Sequence, residues 1–221
     1  MTGAAGRPQV ALAPATAARI DGFPASTIRA DKVIYRAHRA TLGPWWFCRC
    51  GDCRFDLPAP RGTCYLAENR VAALQEALGV RLIAAGVVDQ HELTGRVISA
   101  LRLPGHIQVA NTTSAKAANH GVTREISTVV PYTLTRRWAQ AWATAGFDGI
   151  RYLGRLSTNV DPKARCLAIF GAAGAGDTNY AVDPDPEPAV DTARAAGITI
   201  VDTLPRTGAL TVIPPPSRRS K

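Results

Sequence analysis

The chain has 221 residues, 46% of them apolar and 19% charged, and a formal charge of +9. That length and composition support one ample hydrophobic core and exclude a disordered chain. No run approaches the roughly 20 apolar residues a membrane-spanning helix needs. The positive charge comes from arginines scattered along the chain, with lysine only at Lys32, Lys116, Lys163 and Lys221. A nucleic-acid reader concentrates its charge on one face, so nucleic acid is not expected as a partner. Residues 1–18 hold only Arg7 before a short apolar run broken by Pro14, which makes a poor signal peptide. A cytoplasmic location is therefore expected.

In chain order, residues 1–27 are rich in Ala, Pro and Gly and read as a loosely ordered lead-in. Lys32–Tyr35 is a first strand, Pro44–Phe47 an apolar loop or short strand, and Thr63–Ala67 a second strand. Asn69 offers a helix cap, and the helix runs to Leu78 before Gly79 stops it. Val71, Leu74 and Leu78 share a face at i, i+3 and i+7, which puts Glu76 on the opposite, polar side. Strands follow at Val97–Leu101 and Ile107–Ala110, and Asn111–Ser114 caps a short helix that ends near Gly121. A further helix opens at Thr135, aligns Trp138 with Trp142, and closes at Gly146. Ile150–Tyr152 and Cys166–Phe170 are strands, and 177–188 is an acidic, proline-rich surface loop. A helix around Val190–Ala196 and strands near Ile198–Val201 and Leu210–Ile213 complete the chain. Short strands mixed with separated helices predict an α+β fold.

Three motifs invite chemistry. Cys48-Arg49-Cys50-Gly51-Asp52-Cys53 has the C-x-C-x-x-C spacing of a zinc knuckle, with Cys64 or His38 as the available fourth ligand. There is no second knuckle, and the alternative is five reduced thiols, an odd number that cannot all pair as disulfides. No metal is expected. Gly171–Gly176 follows a strand, but its G-x-x-G-x-G spacing and the prolines behind it read as a flexible turn rather than a dinucleotide loop. His38, His91, His106 and His120 show no ligand spacing.

Read together, Tyr35-Arg36, Arg54-Phe55-Asp56, Gly62-Thr63-Cys64-Tyr65-Leu66-Ala67, Ala72–Glu76, Asp148–Tyr152 and Leu167–Phe170 resemble the RES domain in order and spacing. The resemblance covers about residues 30–171, giving a lead-in over 1–27, a RES domain over 28–176 and a C-terminal extension over 177–221 that packs on it and ends in a basic tail. It implies an ADP-ribosyltransferase-like mixed sheet with flanking helices and an NAD⁺-degrading activity of toxin type. It also implies an Xre-type antitoxin as a partner. Carried over by position, Arg36 (or its neighbour Arg39) matches the family's first arginine, Arg54 its second, Tyr65 its tyrosine and Glu76 its glutamate. The family's serine position is occupied by Gly154, so Ser157, three residues on, is the candidate to replace it.

The chemistry fits those residue types. A guanidinium grips a phosphate through two parallel hydrogen bonds, which suits Arg36 and Arg54 to the pyrophosphate of NAD⁺. Tyr65 can stack on the cationic nicotinamide. Loss of nicotinamide leaves an oxocarbenium-like ribose that a carboxylate such as Glu76 stabilises, with Arg36 and Ser157 completing the catalytic set, and capture by water or by phosphate makes the reaction a hydrolysis or a phosphorolysis. Two alternatives remain open: an ADP-ribosyltransferase that modifies a protein through the same site, and a non-enzymatic, zinc-stabilised binding module.

Overall fold

The computed structural model describes residues 11–79, 87–156, 164–177 and 179–202. The strand expected at Leu210–Ile213 lies outside them, as does Ser157. The fold is α+β, built on a mixed sheet of eight strands in the order β1-β7-β8-β9-β4-β2-β6-β11. Those strands are β1 (Ala25–Ile28), β2 (Ile34–Arg39), β4 (Arg61–Ala67), β6 (Arg96–Leu101), β7 (Ile107–Asn111), β8 (Gly149–Leu153), β9 (Arg165–Ala172) and β11 (Glu187–Pro188). The β7–β8 pair is parallel and its neighbours are antiparallel. Two short pairs flank the sheet: β3 (Trp46–Phe47) with β10 (Gly174–Ala175), and β5 (Val88–Asp89) with β12 (Ile200–Val201).

Strand β9 lies between β4 and β8, and Cys166 to Phe170 are all buried. An uninterrupted apolar run suits a strand covered on both faces, and alternation then sorts its neighbours. Across β4, Tyr65 stands opposite Ala168 and Cys64 opposite Ile169, while Tyr35 of β2 pairs with Ala67. Tyr35, Tyr65, Ala67, Ile150, Tyr152 and Ala168 therefore share one face, and Cys64, Leu66, Leu167 and Ile169 the other.

The first face is covered by α2 (Arg70–Leu78) and α4 (Thr133–Thr144), which follow α1 (Ala17–Ile20) and α3 (Gln90–Leu93) respectively in chain order. In α2, Asn69 Oδ1 accepts from the Ala72 amide at 2.7 Å, and Gly79 leaves the helix at φ +62°. The predicted caps hold, but the buried stripe is rotated. Ala72, Ala73, Leu74 and Leu78 are buried, whereas Val71 is exposed. In α4, Trp138 and Trp142 are both fully buried with centroids 4.9 Å apart, and Phe23 lies 5.0 Å from Trp142.

Phe23 belongs to the segment expected as a loose lead-in. Residues 11–28 instead pack down: Leu12 is buried, Trp138 Nε1 donates to the Ala13 carbonyl at 2.8 Å, and β1 forms an edge of the sheet. The second face is closed by Trp45, Phe47 and Tyr180. Gly62 and Gly171 permit that closure, because a Cβ on Gly62 would sit 2.5 Å from the Phe47 carbonyl oxygen and one on Gly171 2.6 Å from the Phe47 ring. The Gly171–Gly176 run is thus an ordered crossing that carries β10 onto β3. Beyond it, Trp45 Nε1 donates to the Ala181 carbonyl, and α5 (Ala189–Ala195) buries Ala189 and Ala193 against Leu74 and Leu78.

Candidate active site

Glu76 is the centre of the arrangement. On α2 it falls three and four residues after the buried Ala73 and Ala72, on the flank where small side chains let the helix settle close to the sheet. Its carboxylate therefore meets β8 rather than solvent, which corrects the polar-face assignment. Oε2 accepts from the Tyr152 hydroxyl at 3.0 Å, and the Arg155 backbone N–H donates to the same carboxylate. Burial pushes Glu76 above the usual carboxylate range. The Tyr152 hydrogen bond and the charges of Arg54 and Arg155 pull it partway back.

Arg54 supplies the buried cation. Its Nη1 donates to the Val129 carbonyl at 2.8 Å, and its guanidinium carbon lies 4.5 Å from the centre of the Tyr132 ring. Thr135 Oγ1 ties the Arg54 carbonyl to the start of α4 at 2.6 Å. Burial lowers the guanidinium's pKa and Arg155 lowers it further, while Tyr132, Tyr152 and Glu76 act in the opposite sense.

Tyr65 lies on the same face, and its phenol is fully engaged: it accepts from the Phe55 N–H at 2.9 Å and donates to Asp56 Oδ1 at 2.9 Å. Burial and Asp56 raise it well above the ordinary tyrosine range, so it stays protonated. These bonds fix the ring and leave stacking as its available chemistry.

Arg36 does not join the group. Period-2 alternation from Tyr35, whose partner is Ala67, turns Arg36 to the second face, where its Nη1 donates to the Pro44 carbonyl and approaches Cys64 Sγ at 3.1 Å. The cations that act on Glu76 are Arg54 and Arg155. Arg39, the alternative to Arg36, is exposed at the end of β2.

Gly154, where the family's serine is expected, touches the site directly. A Cβ built there would lie 3.2 Å from Glu76 Oε1 and 3.2 Å from Cys166 Sγ. Gly154 and Arg155 also line an open groove of about 160 Å³ together with Thr112, Arg124, Ser127 and Thr128. That volume holds a ribose or nicotinamide fragment, not a whole dinucleotide, whose sites usually run to about 300 Å³ or more. Arg155, Arg124, Ser127 and the hydroxyl of Tyr152 were not singled out from sequence. The available signal was position, since Tyr152, Gly154 and Arg155 sit at the carboxyl end of β8, and β8 runs parallel to β7.

The cysteine run has a different surrounding from the one expected. Cys48, Cys50 and Cys53 gather around Asp56. Cys64 is buried on the second face beside Arg36, and His38 shares a 2.9 Å hydrogen bond with Ser99 Oγ. Neither is available as a fourth ligand, because alternation along β4 and β2 commits both elsewhere. Burial pushes the Cys50 thiol up to about 11 and raises Cys53 as well.

The RES domain profile matches residues 33–191, a span that runs past β9 into α5. No curated protein matches the sequence. The fold is similar to that of a chain in the crystal structure of the M. tuberculosis MbcT–MbcA toxin–antitoxin complex, with a TM-score of 0.57 at 15% identity. That match covers 80% of this chain and 94% of the other. With the profile spanning well over half of its residues, the chain belongs to the RES domain family.

Proposed function

We propose that the protein cleaves the nicotinamide–ribose bond of NAD⁺. The observation that carries this reading is Glu76, a carboxylate held down by Tyr152 and the Arg155 amide, with Arg54 nearby and with Gly154, which faces its Oε1, lining a groove. Arg54, Arg155 and Arg124 supply the cations a pyrophosphate needs, taking the part first expected of Arg36. The groove admits the ribose–nicotinamide end, and Tyr65 offers its ring.

In the reaction, the C–N electron pair leaves with nicotinamide and neutralises the ring nitrogen. The ribose carbon becomes oxocarbenium-like, and the Glu76 carboxylate stabilises it electrostatically. Water then adds to that carbon and releases a proton, which gives ADP-ribose. Glu76 works in its ionised form, and Arg54 and Arg155 favour that form against the cost of burial. Because NAD⁺ is an intracellular cofactor, the site of action is cytoplasmic. An antitoxin of Xre type is the proposed partner, on the family resemblance and on the kind of complex in which the similar fold was solved.

The test is incubation of the pure protein with NAD⁺ labelled in the adenylate half. Free nicotinamide with soluble ADP-ribose supports hydrolysis. Label on an acceptor protein would mean an ADP-ribosyltransferase, and ADP-ribose 1″-phosphate formed only with inorganic phosphate would mean phosphorolysis. In cells, the wild type is expected to deplete NAD⁺ and arrest growth, while Glu76→Gln does neither. Release of no nicotinamide under any of these conditions refutes the reading.

A further inference from the structure

Asp56 poses a question that NAD⁺ chemistry does not answer. It is 3% exposed, and its oxygens are met by the Gly51 and Cys53 N–H groups at 3.0 and 3.2 Å, by Cys50 Sγ at 3.3 Å and by the Tyr65 hydroxyl at 2.9 Å. None of these partners among the described residues is a cation. Buried carboxylates are ordinarily either paired with a basic group or bound to a metal. Three thiols stand around Oδ2, the oxygen that accepts from both N–H groups and from Cys50 Sγ, and ionisation of Cys50 on binding a metal releases the lone pair its thiol now holds.

We propose that Cys48, Cys50, Cys53 and Asp56 Oδ2 hold one zinc ion. Their four ligand atoms lie within 4.8 Å of one another, and Cys48 Sγ and Cys50 Sγ are 3.0 Å apart. A tetrahedral site with Zn–S near 2.3 Å needs ligand–ligand edges of roughly 3.5–4 Å, so small side-chain rotations complete it. The backbone is already shaped for thiolates. The Cys50 N–H points at Cys48 Sγ at 3.4 Å and the Asp52 N–H at Cys50 Sγ at 3.5 Å, donors of the kind that orient ligating sulfur. Gly51, at φ +78°, allows the loop to fold over itself, and Arg136 donates to its carbonyl. Cys48 is anchored by two hydrogen bonds to Thr63 of β4, at 2.9 and 2.8 Å. Thiolate ligands select zinc over the hard cations that carboxylates alone would attract.

The ion's place is structural. Asp56 offers Oδ2 to the metal and Oδ1 to Tyr65, so zinc fixes the loop that carries Arg54 and orients the ring of Tyr65 from behind. The inference stands apart from the NAD⁺ reading, since its readouts are metal content and spectrum.

Metal analysis of the full-length protein, purified reduced and without chelator, is expected to find about one zinc per chain. Cys50→Ser and Cys53→Ser should each bring it down at least fivefold. Replacement with cobalt(II) should give thiolate-to-cobalt charge-transfer absorption and the visible bands of tetrahedral cobalt, both lost in the variants. If the variants do not fold, the wild type decides alone. Chelator should lower its Tm, and zinc, not magnesium, should restore it. Less than about 0.2 zinc per chain after zinc supplementation, with no cobalt spectrum, overturns the site. So would stoichiometric iron or copper, or a disulfide among the three cysteines in protein isolated reduced.

Discussion

Glu76→Gln separates what this residue does for the fold from what it does for the reaction. The carboxylate has been moved from water to a gap between α2 and β8, and its pKa is raised because burial outweighs the Tyr152 hydrogen bond and the two arginines. A carboxyl group with a raised folded-state pKa contributes its full stability below the unfolded value of about 4.3 and loses it as pH rises through the folded value. Glutamine keeps the shape and a hydrogen-bonding oxygen but carries no charge. At pH 7.5 the variant should therefore be the more stable protein, by about 1 kcal/mol, the usual size of an imperfectly compensated buried polar group. For a chain of this length that is roughly 2–4 °C in Tm. The gap should close below about pH 4, where the wild-type carboxyl is protonated in both states. Meanwhile NAD⁺ turnover should fall at least about tenfold, or 1.4 kcal/mol of barrier. Differential scanning fluorimetry across pH, beside a nicotinamide-release assay, reads both. A variant that is less stable by the same amount at every pH would show that the carboxylate is not held against a burial cost. Unchanged turnover would remove it from the chemistry.

Other substitutions probe the same geometry. Arg54→Ala should lower kcat/KM for NAD⁺ at least about tenfold and shift the acid limb of the pH profile upward, because Glu76 loses a cation that favours its ionised form. Arg54→Lys should recover the pH profile more fully than the affinity, since an ammonium lacks the fork that grips a phosphate. Arg36→Ala should leave steady-state turnover within about twofold, as its side chain lies on the second face of the sheet; a tenfold loss (about 1.4 kcal/mol) would return Arg36 to the site. Trp138→Ala removes a fully buried ring from beneath α4 and should cost roughly 3–5 kcal/mol, seen as a Tm drop of about 10 °C or more.

Local structure was well written in the sequence. The caps of α2 at Asn69 and Gly79, the Trp138–Trp142 face of α4, and the apolar run of β9 each follow from neighbours within a turn or a strand. Glu76, Arg54 and Tyr65 stood out by residue type and order. The sequence could not say which face of β2 meets the cleft, since a two-residue period assigns Tyr35 and Arg36 to opposite sides without saying which side matters. That was decided by the pairing of Tyr35 with Ala67, and it removed Arg36 from the group. The helical wheel likewise set Glu76 opposite Val71 and Leu78. Packing kept Leu78 and Leu74 buried but exchanged Val71 for Ala72 and Ala73, whose small size weighs little in a hydrophobic pattern. Arg155 and Ser127 gained their neighbours from segments far along the chain. Short-range periodicity reports what a residue does to its own element, whereas a site is made by contacts between elements, and only the folded sheet supplies those.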